Sequence, residues 1–165
     1  MTIRNMGGQD YEQVYDLWLS CAGMGLNDLD DSGEGIAKFL RRNPGTCFVA
    51  ETEEGIVGAI LAGNDGRRGY IYHTAVRPAC RRQGIATKLV ERAMDALEAL
   101  GINKVALVVF SKNADGNAFW EKNGFAARAD LTYRNKAIRE LIRIDTSIPA
   151  SHSSGQSQKT KESRT

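Results

Sequence analysis

Residues 76–87 read Val76-Arg77-Pro78-Ala79-Cys80-Arg81-Arg82-Gln83-Gly84-Ile85-Ala86-Thr87. Before them, Tyr70–Val76 reads as a strand, and Arg77-Pro78 stops it. After them, Gly84–Leu100 carries Ile85, Leu89, Ala93, Ala96, Leu97 and Leu100 at helical spacing, with Gly101 suited to the position just past a helix end. A strand, a short basic loop and a long helix, in that order, leave the first backbone N–H groups of the helix without partners. With the helix dipole they make an anion site. Gly84 and Ala86 let a phosphate approach the backbone, and Arg81 and Arg82 add charge at its rim. The loop is not a P-loop, since G-x-x-x-x-G-K-S/T is absent. It is not a dinucleotide fingerprint either, since G-x-G-x-x-G and the acidic residue ~20 positions on are both missing. The plain alternative is a helix that merely begins with Arg-Gly.

Working outward, Asp10 stands where it can cap a helix over roughly Tyr11–Cys21, with Val14, Leu17 and Trp18 on one face. A Gly- and Asp-rich loop spans Gly23–Asp31, and Ser32 starts a second helix that Asn43-Pro44-Gly45 ends. Cys47–Thr52 and Ile56–Gly63 read as a hairpin around Glu53-Glu54-Gly55, and Asn64-Asp65-Gly66 turns into the strand at Tyr70–Val76. Val105–Phe110 is a continuous apolar run, which predicts a strand buried on both faces. Ala114–Asn123 reads as a short helix, and Phe125–Tyr133 with Ala137–Ile144 as a final hairpin around Arg134-Asn135-Lys136. The expected architecture is an α/β domain over residues 3–145 with a mixed sheet and one β-α-β crossover. A disordered polar tail over 146–165 is expected, too poor in apolar side chains to offset its ordering entropy.

The chain has 165 residues and a formal net charge of +2, which argues against a general nucleic-acid binder. That +2 belongs to the tail, where Lys159, Lys161 and Arg164 face only Glu162. The body is neutral but separates its signs. Arg67, Arg68, Arg77, Arg81 and Arg82 crowd one stretch, and Asp28, Asp30, Asp31 and Glu34 another. Each cluster alone reads as a solvated loop, while the two together suggest an anionic ligand at one pole and a cationic one at the other. Cys21, Cys47 and Cys80 are scattered and odd in number, with no zinc spacing, so a reducing, cytoplasmic setting and no metal are expected. No apolar run is long enough to span a bilayer or serve as a signal peptide.

Arg81-Arg82-Gln83-Gly84-Ile85-Ala86 resembles Arg/Gln-x-x-Gly-x-Gly/Ala, the acyl-CoA pyrophosphate loop of the GNAT N-acetyltransferases. Asn113, Phe119-Trp120 and Gly124-Phe125 resemble the same family's Asn-x-x-Ala-x-x-Leu-Tyr-x-x-x-Gly-Phe segment at the family's separation. The turn Gly63-Asn64-Asp65-Gly66-Arg67-Arg68-Gly69 is similar to that of small bacterial members. The resemblance implies a GNAT fold with two N-terminal helices and acetyl-CoA as co-substrate. It implies that Thr74, Ala75 and Val76 offer backbone groups to the pantetheine amides. Arg81, Arg82, Gln83, Gly84, Ile85, Ala86 and Thr87 would then hold the pyrophosphate, Asn113 the cofactor arm, and Phe119 and Trp120 would pack near the thioester, although Phe119 also reads as plain core. A homodimer would be unremarkable for a protein of this resemblance, although no interface can be read in the sequence.

The pattern also departs from the family. Trp120 stands at the position of the tyrosine acid, Val108 at that of a glutamate base and Gly116 at that of an alanine. Loss of an acid–base pair need not abolish transfer. Such help is worth ~10²–10⁴-fold, positioning can be worth more, and a thiolate with pKa near ~8.5 can leave unprotonated. Tyr70, Tyr72 and Thr74 are expected on one strand face, making Tyr72 the best candidate for a proton relay. His73 is expected on the opposite face unless a bulge intervenes. Asp28, Asp30 and Asp65 are candidates to attract an amine, with solvated carboxylates as the alternative. Two functions stay open: an acetyl-CoA-dependent N-acetyltransferase acting on a primary amine of a small molecule or peptide, by direct attack in a ternary complex, or an acyl-CoA-binding or sensing module with little turnover. A transferase for longer acyl groups is a weaker third.

Overall fold

The computed structural model describes residues 1–148, so most of the tail expected over 146–165 lies outside the described residues. The chain runs β1 (Thr2–Asn5), α1 (Tyr11–Leu19), β2 (Gly25–Asn27), α2 (Gly33–Arg42), β3 (Phe48–Thr52), β4 (Gly55–Asn64), β5 (Gly69–Val76), α3 (Ile85–Ala99), β6 (Val105–Ala106), α4 (Ala114–Lys122) and β7 (Arg143–Asp145). One sheet has the order β1-β3-β4-β5-β6, antiparallel except for the parallel pair β5–β6, and a second pairs β2 with β7.

Alternation along the strands splits the core into two layers. Val49, Ile56, Ala59, Leu61 and Ala75 pack with Val14, Leu17 and Trp18 of α1 and Ile36 of α2. Phe48, Ala50, Val57, Ile60, Ile71 and Val76 pack with Ile85, Leu89, Ala93 and Leu97 of α3. Gly58 lets α3 come close, for a Cβ there would lie 3.0 Å from Leu89 and 3.1 Å from Ile85. The Ser32 hydroxyl accepts the Gly35 N–H at 3.0 Å and caps α2 as its sequence predicts. Asp10 does precede α1, but its carboxylate does not cap that helix. Instead it takes a two-pronged bond from Arg4 at 2.7 and 2.9 Å, and the Gly7 N–H at 2.8 Å. Arg4 also reaches Glu51, stapling β1 to β3.

Three expectations need correction. β1 is an unanticipated edge strand, because Thr2–Asn5 holds a single aliphatic residue and gains its order from pairing with β3 and from Arg4. The strand expected over Val105–Phe110 pairs only at Val105 and Ala106, and Val108 is 58% exposed. Its neighbour β5 bulges beyond that point and offers no straight edge to follow. The final hairpin does not form among the described residues. Arg143–Asp145 pairs with β2 instead, drawn by Asp28, whose carboxylate accepts the Ile142 N–H at 2.7 Å while its own N–H donates to the Ile142 carbonyl.

The Arg4 guanidinium holds the buried Asp10 carboxyl below the usual carboxylate range. The folded value then lies under the unfolded one, so the stabilisation is present at neutral pH and fades as pH falls through the folded value. Asp10→Asn is expected to lower stability at pH 7 by about 1–3 kcal/mol. Thermal melts against pH should show a shallower acid-side decline than in the parent protein, and parallel curves would count against this account.

Candidate active site

The loop after β5 has a shape that an anion can fit. A 3-10 turn at Pro78–Cys80 leads into Arg81–Gly84, all exposed. The chain reverses through left-handed conformations at Arg82 (φ 62°) and Gly84 (φ 74°), and α3 starts at once. The first helical N–H with a backbone partner is that of Lys88, which donates to the Gly84 carbonyl at 3.1 Å. The donors before it, on Ile85, Ala86 and Thr87, have no hydrogen-bond partner among the described residues and lie at the positive end of the helix. A Cβ at Gly84 would meet nothing within 4 Å, so the space above the backbone is open to a phosphate. Arg81 is tied inward, its Nε donating to the Val76 carbonyl, and Arg77 donates to the Ile56 carbonyl. Arg82 makes no hydrogen bond or ion pair among the described residues and is the free charge at the rim. Gln83 sits exposed beside it.

A backbone edge leads away from this cradle. β5 and β6 pair only at Gly69↔Val105 and Tyr70↔Ala106, so from Ile71 to Val76 that edge of β5 has no strand beside it. Thr74, Ala75 and Val76 lie on this stretch, as the resemblance implies, ready to pair with amides laid alongside. The Thr74 hydroxyl is buried with no partner, which marks a polar group still to be satisfied at the same place. The residues therefore fit the diphosphate and amide-bearing arm of a CoA thioester. Asn113 caps α4, accepting the Gly116 N–H at 3.0 Å, and its amide nitrogen borders Gly23. Trp120 stands between Phe119 and Phe125, both at 5.1 Å between ring centroids, half-buried against the α3 layer. Phe119 belongs to that packing, as its core reading predicts.

The opposite face of β5 carries the reactive side chains. Ala59 pairs with Ala75 but Leu61 with Tyr72, so β5 holds one extra residue there, and His73 takes φ 36°. The expected alternation thus fails after Tyr72. Tyr70 and Tyr72 do share a face, 4.7 Å apart, but the bulge turns His73, not Thr74, onto that side, its ring 5.0 Å from Trp18 and 6.4 Å from Tyr72. His73 Nε2 lies 2.5 Å from Oδ1 of the buried Asp31, whose other oxygen accepts the Asn27 N–H. Tyr72 also stacks edge-on to Phe39 of α2 at 5.6 Å. Burial first, then Tyr133 and Asp30, raises its phenol above the usual value.

Tyr70, Tyr72, Phe39, Asn43, Asn64, Asp65 and Arg68 line a cleft of about 330 Å³ beside these rings. Asp65 is there, but one of its oxygens closes its own turn on the N–H groups of Arg67 and Arg68, which hold its carboxyl below the usual range. Asp28 is occupied with Ile142, and Asp30 with the Asn27 amide at 3.1 Å. Each of the three carboxylates thus has a local partner, and the sequence does not single out Asp31, the acid buried against His73. Its only signal was membership of the acidic loop. Burial pushes the Cys47 thiol up to about 11, and both Cys47 and Cys21 donate to backbone carbonyls, so neither is poised as a nucleophile. No group of three candidate metal ligands comes together among the described residues.

Residues 11–125 match the family model described as the acetyltransferase (GNAT) family. An acetyltransferase of Sodalis glossinidius is 35% identical over 85% of this chain and 97% of its own length. The chain belongs to the GNAT acetyltransferase family. That family uses acetyl-CoA, the thioester the cradle and the open β5 edge fit. Among solved structures, Ard1 of Thermoplasma volcanium superposes with a TM-score of 0.69 at 23% identity, covering 78% of this chain and 84% of that one. A Mycobacterium tuberculosis protein solved in complex with CoA superposes at 0.61 with 18% identity, covering 79% and 78%. At these identities the likeness is one of fold.

Gly84→Val is the cleanest probe of the cradle. A β-branched side chain at φ 74° costs about 1–2 kcal/mol of stability. It also fills the space a phosphate would take, removing charge-assisted bonds worth about 1.5–3 kcal/mol each. Calorimetry should show acetyl-CoA affinity reduced more than ~100-fold in a variant that still melts cooperatively. Undiminished affinity would remove the cradle from cofactor binding.

Proposed function

We propose that this GNAT protein is an acetyl-CoA-dependent N-acetyltransferase that carries an acetyl group to a primary amine of a small molecule or peptide, by direct attack within a ternary complex. The observation that carries this reading is the two-sidedness of β5. One edge of the strand, continuous with the Gly84 cradle, is free to hold a CoA arm. The face beside it presents Tyr72 and His73 toward α1 and α2, next to a cleft, and both lead to the same bulge. Two substrates can meet there without exchanging places. The bonded thiols of Cys21 and Cys47 favour direct attack over an acyl-enzyme.

In this reading Tyr72 supplies a proton to the departing sulfur, since Trp120 cannot. An indole N–H is not a useful acid, and this ring is held between two phenylalanines. Acidic groups at the α1–α2 end, Asp30 above all, favour a cationic acceptor. The scattered free cysteines suit a cytoplasmic setting, and residues 3–145 act as one domain followed by a polar tail. The second reading, a CoA-binding module with little turnover, is favoured by Trp120 alone.

Thiol release from acetyl-CoA, measured against amino acids, polyamines, aminoglycosides and peptide N-termini, separates the two readings. Turnover with any of these amines is expected, and binding without turnover across the panel would favour the module. Tyr72→Phe should lower kcat by ~10²-fold or more while acetyl-CoA affinity holds. An unaltered kcat at every pH would take Tyr72 out of the mechanism.

A further inference from the structure

The bulge in β5 positions an imidazole that the reading above leaves without a task. His73 is not a glycine, yet it sits at φ 36°, a left-handed conformation that costs about 1–3 kcal/mol and persists only where the surroundings impose it. What imposes it here is a carboxylate. Asp31, 3% exposed, comes from the loop before α2 and is itself fixed by the Asn27 N–H on Oδ2 and by the Tyr11 hydroxyl on its main-chain carbonyl. A carboxylate only accepts, so Nε2 of His73 carries the hydrogen that lies between them. In the neutral ring, Nδ1 is then a free lone pair. The buried side-chain polar atoms without a partner, among the described residues, are the Trp18 indole nitrogen and the Thr74 hydroxyl. Nδ1 makes no hydrogen bond there either, so it keeps access to solvent. The Trp18 and Tyr72 rings lie edge-on to the His73 ring at 5.0 and 6.4 Å, and Thr74, on the open edge of β5, is the next residue.

We propose that His73, oriented by Asp31, is the proton acceptor for the incoming amine, and that Asp31 is a positioning residue fixing its tautomer. This rests on the N-acetyltransferase reading above. The step balances as follows. An N–H bond of the acceptor ammonium breaks and its proton goes to Nδ1 of His73. The freed amine lone pair forms the C–N bond to the thioester carbonyl carbon, a second amine proton is lost to water, and the C–S bond breaks with its electron pair on sulfur. The thiolate takes the Tyr72 hydroxyl proton, Tyr72 recovers one from solvent, and the imidazolium releases its own to solvent. The titratable groups facing His73 are Asp31 from the loop before α2 and Tyr72 from its own strand. Tyr11 of α1 bonds to the main chain of Asp31, and Asp30 acts on Tyr72.

Two measurements test this on the full-length chain. Nitrogen-15 NMR of the imidazole, with acetyl-CoA bound, should report the Nε2–H tautomer with Nδ1 unprotonated at pH 8, and reversible protonation of Nδ1 on acidification. Asp31→Asn should scramble that tautomer. A ring that stays cationic through pH 9, or one protonated at Nδ1, overturns the proposal whether or not turnover is seen. For the rate, the amine giving the fastest thiol release in the panel above is used. His73→Gly, which suits the positive φ and should still melt cooperatively, though below the parent because the buried Asp31 carboxylate loses its partner, is expected to lower kcat by ~10²-fold or more and to regain rate with added imidazole. His73→Gln should lose the acidic fall of kcat/KM while KM for acetyl-CoA is held. Parent-like kcat and pH profile in both variants, with the parent active, overturn the role of His73 and leave the transferase reading standing. A parent inert to every amine overturns both.

Discussion

One extra residue in β5 governs how this fold becomes a site. With regular alternation, β5 and β6 would pair along their length and seal the sheet between them. The slip between Ala59↔Ala75 and Leu61↔Tyr72 ends that pairing after Tyr70↔Ala106 and frees a row of backbone donors and acceptors. It leaves the Thr74 hydroxyl without a partner and brings His73 onto the α1 side. The strain of a left-handed histidine is held by the Asp31 carboxylate and by packing against Trp18. Opening the edge and aiming the imidazole are thus one event in the backbone.

The two core layers make that event affordable to the fold. Ile71 and Val76 stay in the layer under α3 on either side of the bulge, while Ala75 stays in the layer under α1 and α2. Both faces remain anchored through the irregularity, so β5 is displaced locally and not peeled away. The separated charges follow the same geometry. Arg77, Arg81 and Arg82 gather where β5 ends and α3 begins, whereas Arg67 and Arg68 lie in the turn before β5, and the aspartates gather in the loop that leads into α2.

Much of this could be read before the structure. The helix periodicity of residues 85–99, the Ser32 cap and the β3–β4 hairpin follow from local chemistry, because each is decided within a few residues. The loop from Arg81 to Thr87 was legible for the same reason, since a strand, a turn and a helix start need no distant partner. The misses are all non-local. Thr2–Asn5 becomes a strand only through Arg4 meeting Glu51 and Asp10. Val105–Phe110 has the composition of a buried strand but loses its partner to a bulge that no spacing encodes. Asp31 looked like one more carboxylate in an acidic loop, and only the folded chain brings it to His73, 42 positions away.

The pairing of β2 with β7 has a practical side. The Gly23 N–H donates to the Thr146 carbonyl, and a Cβ at Gly23 would lie 2.9 Å from the Asn113 amide and 3.3 Å from Ile148. The last described residue therefore sits beside Asn113 and the acidic loop. Met1 leads into β1, at the opposite margin of the five-stranded sheet from β6. A fusion joined directly after Ile148 is tethered beside Asn113, whereas one on the N-terminus is carried on the far edge of the sheet.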